Sequence, residues 1–204
     1  MYYFIGSIIA IRLYYIICPV NNLLKYFFMN IIHSLIISIY TYPVILEILN
    51  NPIQKNIYQN IQYIPNDLFS FLIALYIYHM IYYNIDYNKI EYYILSIYFH
   101  IFPLNKFLVA SSYFMVGIPD GISYLILILL NLGYIQKNNL NIILWCKLNG
   151  ILFFAFLLFI NIYINNKNNK FVLIHNLLIL LFMIWKSINI IKDMIKIKVS
   201  CANI

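Results

Sequence analysis

The chain has 204 residues, 64% of them hydrophobic and 9% charged, with a mean hydropathy of +0.84 and a net charge of +7. Soluble domains carry about 45–50% apolar and about 25% charged residues, so a water-soluble fold is excluded, and apolar runs from end to end leave no room for a separate soluble domain. The positive charge does not indicate nucleic acid, because the lysines are scattered among short polar stretches and form no basic patch or nucleic-acid motif.

The first run, MYYFIGSIIAIRLYYIICPV, lacks a basic start and a small-x-small cleavage site, and Arg12 interrupts it. It reads as a retained membrane segment or membrane-dipping helix over 2–20. A spanning helix needs about 20 mostly apolar residues, and only a helix satisfies the backbone of a single such run in hydrocarbon. Runs of this kind occupy 27–49, 68–85, 120–135, 141–164 and 171–191. The apolar region 90–117 is split by Pro103, Asn105 and Lys106. Its two pieces, each about a dozen residues, are short enough to be re-entrant or to form a tilted pair meeting at a bend. The expected fold is all-α: a polytopic membrane helix bundle of about 6–8 transmembrane helices in one domain, 1–204.

Polar stretches separate the runs. NNPIQKNIYQNIQYIPND (50–67) is the longest, and NNKNNK (165–170) is a short turn. In IPDG (118–121), Asp120 is placed to cap the following helix. The stretch KDMIKIKV sets Lys192, Lys196 and Lys198 against Asp193, which puts this end of the chain in the cytoplasm by the positive-inside tendency. Cys18, Cys146 and Cys201 are odd in number and widely spaced, so neither a disulfide framework nor a zinc site is indicated.

The informative residues are the ionisable ones inside apolar runs. At about 100° per residue, Asn30, His33, Ser34, Ser38 and Thr41 fall on one face of 27–49. Asp120, Ser123, Tyr124 and Asn131 share a face of 120–135. Asn141, Trp145 and Asn149 share one of 141–164, and His175, Lys186, Asn189 and Asp193 line up further on. Such stripes are interhelical contacts of small and polar residues or the wall of an intramembrane site. Lys186 either snorkels toward headgroups or bridges to Asp193, and Lys147 is placed to snorkel. His79 and His100 stand alone beside tyrosines. With no HExxH and no histidines at i and i+4, no metal or cofactor is expected. The candidate intramembrane polar site is therefore His33, His79, His100, Asp120, Tyr124, His175 and Lys186.

The helix MNIIHSLIISIY resembles the opening of TLC domains, the multi-pass lipid-associated domains of ceramide synthases and their relatives. A similar order follows: SFLIALYIYHMIYY, the broken pair EYYILSIYFHIFPLNKFLVASSYF, GIPDGISYLILILLNLGYI, NIILWCKLNGI and MIWKSINIIKDMI. The resemblance spans about 22–195. It implies membrane lipids as partners, residence in the endoplasmic reticulum, and lipid sensing, trafficking or homeostasis. Synthases of that family carry an adjacent histidine pair. Here the matching stretch offers only His100, and His79 stands where an aspartate is expected, so an enzyme is not expected; were there activity, it would be lipid acyl transfer. Two alternatives remain: a small transporter or channel using the buried charges, and a membrane-structural protein whose partner is another copy or another membrane protein.

Overall fold

The computed structural model describes residues 2–53, 74, 75, 77, 78, 105–135, 139–165 and 170–202. Their regular structure is helical: α1 (Tyr2–Ile17), α2 (Asn22–Asn50), α3 (Lys106–Val116), α4 (Ile118–Asn131), α5 (Asn139–Asn165) and α6 (Lys170–Ala202). Two compact units are present, one comprising 1–25 and 58–104, the other 26–57 and 105–204. The expected run 68–85, apart from helical backbone at 74, 75, 77 and 78, and the first piece of the broken pair lie outside the described residues.

In the smaller unit, the Arg12 guanidinium donates to the Tyr78 hydroxyl at 3.3 Å. Tyr15 and Tyr78 stack at 5.0 Å, and the buried Lys25 ammonium donates to the Tyr15 carbonyl at 2.6 Å. Arg12 therefore finds a polar partner within an apolar helix.

Among the described residues four helical stretches are long and apolar enough to cross a membrane: Asn22–Asn50, Lys106–Asn131, Asn139–Ile164 and Val172–Lys198. A stretch of 26 residues rises about 39 Å, against about 30 Å of hydrocarbon. Many of their apolar side chains face outward, among them Ile39, Ile142, Phe156 and Leu181. Outward leucine and isoleucine are at home in lipid and not in water.

The third stretch was expected over 120–135 alone, with the bend at Pro103–Lys106. A helix does begin at Lys106 and a break does fall at Gly117, beside the IPDG turn, but α3 and α4 together make one span. Asn105 starts α3 by accepting from the Phe107 N–H through its side chain. Gly117 has φ −87° and ψ −144°, which ends α3. Its carbonyl then accepts the N–H groups of Asp120 and Gly121 at 2.9 and 3.0 Å. Gly117, not Asp120, is thus the N-cap of α4, and Asp120 lies in the first turn, where a carboxylate still favours the helix dipole. The helix stops at Asn131, short of 135. There Gly133 adopts φ +78°, and the N–H groups of Gly133 and Tyr134 return to the carbonyls of Leu130 and Leu129.

Within the larger unit the spans alternate in direction. Glu47, late in α2, pairs with Lys106 at the start of α3, whereas Tyr26 and Phe27 at the other end of α2 pack on Tyr124 of α4. Asn161, late in α5, donates to the Pro52 carbonyl just beyond α2 at 2.8 Å. Asn176, early in α6, meets Asn105. The core between the spans includes Ile48, Phe107, Ile151, Phe154, Leu158, Ile179 and Met183, all nearly inaccessible.

Candidate intramembrane polar site

A charge at mid-membrane must find a counterion or water. Asp120 and Lys147 satisfy this with each other: the Lys147 ammonium donates to the Asp120 carboxylate at 2.5 Å, with side chains 11% and 18% exposed. The rise per residue puts Asp120 about 22 Å along its stretch from Asn105, well within the apolar helix Lys106–Asn131. Lys147 does not snorkel, because its helix turns it inward toward α4. On α5 the face expected to be inward is the outer one: Trp145 is 54% exposed and Asn149 is exposed. Lys147 and Asn161, about half a turn away, are the buried polar residues of that helix.

A second ion pair, Lys106 with Glu47 at 2.5 Å, lies nearer the opposite end and is more open at the glutamate. On the same level, the wholly buried Asn105 donates to the Asn176 side-chain oxygen at 2.8 Å. His175 is buried beside Asn176. By helix rise, this level is about 22 Å from Asp120, so His175 and Asp120 belong to different depths of the bundle.

The polar stripe of α2 is buried: Asn30, His33, Ser34, Ser38 and Thr41 are each at most 7% exposed. Its hydroxyls do not bond across the contact. Ser34, Ser38 and Thr41 donate to the carbonyls of Asn30, Ser34 and Ile37 in their own helix. What they contribute is closeness. A Cβ added at Gly121 would stand 3.0 Å from the Ser34 Cβ, and one at Gly117 would stand 2.7 Å from the Ser38 Oγ. Two glycines four residues apart therefore face two serines four residues apart, the small-xxx-small geometry that lets helix backbones meet. The GxxxG spacing of GIPDG is present in the sequence, where Asp120 is the residue that draws attention.

Tyr124 lies one turn beyond Asp120, with its ring against Tyr26 and Phe27. The Lys186 ammonium lies 5.5 Å from the centre of the Trp185 ring. His79 and His100 lie outside the described residues. The structure brings Asp120 together with Lys147, a residue not counted in the site, and it leaves Asn131 and Asp193 exposed. Among the described residues no group of three or more histidine, cysteine or carboxylate side chains could hold a metal.

Where α5 begins and α6 ends, the two helices border a groove of about 640 Å³. Asn141, Trp145 and Leu148 line it from α5, and Ile191, Met194, Ile195 and Lys198 from α6. The side-chain oxygen of Asn141 is buried there without a hydrogen-bond donor among the described residues. No model of a known protein family, no curated protein and no solved structure matches the chain.

Proposed function

We propose that the chain is a multi-pass integral membrane protein that handles lipids by sensing, moving or maintaining them, as its resemblance to TLC domains implies. The supporting observation is the disposition of charge. Asp120 with Lys147 and Glu47 with Lys106 form closed interhelical pairs, while a groove lined chiefly by apolar side chains, with one lysine, lies open at the helix ends. Charges already paired serve poorly as stepping stones for ions, which weighs against a channel. On this reading the runs outside the described residues complete a bundle of about 6–8 spans, in the endoplasmic reticulum, with Lys192, Lys196 and Lys198 on the cytoplasmic side.

The test is a lipid profile of cells with and without the protein. The expected result is a shift in one lipid class, reversed by re-expression and still reversed by the His100→Ala variant, since no acyl transfer is proposed. An unchanged profile would overturn the reading. One observation favours a second reading, a ligand-free assembly protein: Asn105, Asn176 and Asn161, like the charges, are bonded within the bundle. That reading gains if the profile is unchanged and another membrane protein is lost from the membrane with this one.

A further inference from the structure

The groove between α5 and α6 has a composition that ordinary annular lipid does not require. On α5 its residues recur as Asn141, Trp145, Leu148, and on α6 as Ile191, Met194, Ile195, Lys198. Both series follow helical spacing, so two stripes face each other across the groove. The deep part is apolar and is floored by Leu148, 4% exposed. The mouth carries Trp145, a residue type concentrated at the boundary of hydrocarbon and headgroups, and the exposed ammonium of Lys198. Lys192 and Lys196 are exposed on the same end of α6, outside the groove. Of these three lysines, Lys196 alone forms an ion pair among the described residues, with Asp193 at 3.9 Å. The end of the bundle that holds the groove is therefore basic.

The buried oxygen of Asn141 adds a second requirement. A buried acceptor without a donor costs about 1–3 kcal/mol, and neither donor-bearing side chain of the groove, Trp145 or Lys198, is bonded to it. An acyl chain alone would not relieve it. A ligand fitting all three features has a hydrocarbon tail, an anionic phosphate and a hydrogen-bond donor near that phosphate.

We infer that the α5–α6 groove binds an anionic glycerophospholipid whose headgroup carries a donor, as phosphatidylserine does. The acyl chain lies along Leu148, Ile191, Met194 and Ile195 beneath the Trp145 ring. Lys198 meets the phosphate, and Asn141 accepts from the headgroup ammonium or hydroxyl. The site deepens the lipid-handling reading and rests on it for its membrane setting.

The experiment uses the full chain with Trp185→Phe, which leaves Trp145 as the one indole, in phosphatidylcholine vesicles. Lipids brominated on the acyl chain quench a tryptophan they touch. Brominated phosphatidylserine at low mole fraction is expected to quench Trp145 about fivefold more effectively than brominated phosphatidylcholine, the preference one lysine confers near an anionic headgroup. Lys198→Gln should abolish the preference, and Lys192→Gln should keep it. Equal quenching by the two lipids, or equal losses in both variants, would overturn the site, the latter reducing it to surface charge. Should Trp185→Phe fail to fold, mass spectrometry of lipids retained by the unmodified chain decides: enrichment of phosphatidylserine that Lys198→Gln removes supports the site, and retention at the vesicle ratio overturns it. Loss of the preference leaves the cellular lipid profile standing, whereas an unchanged profile with the preference intact removes the cellular role and keeps the site.

Discussion

The Asp120–Lys147 pair shows how far single residues could be read. Asp120 stood out because a carboxylate in an apolar run demands a reason. Lys147, only two turns into its helix, had a cheap explanation in snorkelling. Nothing in the sequence joins two positions on different helices, so the partner became visible only with the helices packed. The buried geometry makes the pair easy to break and less easy to improve upon. Asp120→Ala or Lys147→Ala strands the other charge and should destabilise the bundle by about 3–5 kcal/mol, read as unfolding in mixed micelles. The double variant Asp120→Leu with Lys147→Met replaces both with apolar groups of similar volume and should lose less than either single change. A double variant as unstable as the sum of the two would mean that the pair acts in no common interaction. Asn105 is a second such residue, since it caps α3 and holds Asn176. Asn105→Ala removes the cap and leaves Asn176 with a buried acceptor, so a loss of about 2–3 kcal/mol is expected in the same assay.

At the scale of elements, the sequence was clear where polar residues clustered on one side and misleading where they did not. In α2 the polar residues formed a single stripe, and burial follows that stripe from Asn30 to Thr41. In α5 two polar faces lie about half a turn apart on an otherwise apolar helix. Hydrocarbon outside and apolar side chains inside are nearly equivalent surroundings, so periodicity does not say which face turns inward. Polar partners decided it: Lys147 has a carboxylate and Asn161 a carbonyl in the bundle, and Trp145 and Asn149 face outward. The α3–α4 break coincides with the IPDG turn, and it carries a glycine packed on a neighbouring helix, which the turn pattern does not reveal. That packing is testable. A methyl at Gly117 would collide with the Tyr113 carbonyl and approach Ser38, whereas one at Gly121 needs Ser34 to yield only slightly. Gly117→Ala should therefore cost about 1–3 kcal/mol and Gly121→Ala clearly less. Thermal unfolding of the two purified variants gives the order, and the reverse order would show that α2 does not rest on the break.

At the scale of the larger unit, the pairings fix a topology that composition alone could not. Because α2, the α3–α4 span, α5 and α6 alternate in direction, Asn51 and the start of α6 lie at one end, with Tyr134 and Lys198 at the other. The scattered lysines could not show this, since they divide between the two ends and only the α6 terminus concentrates them. If that terminus is cytoplasmic, as proposed, the alternation assigns every other described end of the unit. Single cysteines placed at Asn51, Tyr134 and Lys198, after Cys18, Cys146 and Cys201 are changed to serine, can be challenged with a membrane-impermeant thiol reagent after selective opening of the plasma membrane. On the proposed topology, cysteines at 134 and 198 should react at once. The cysteine at 51 should react only when the internal membrane is also opened, since one span of about 39 Å separates it from the others. Simultaneous reaction at 51 and 134 would mean that α2 and the α3–α4 span do not cross the bilayer in opposite directions. The closed ion pairs would then have to be explained by a bundle lying in the plane of the membrane.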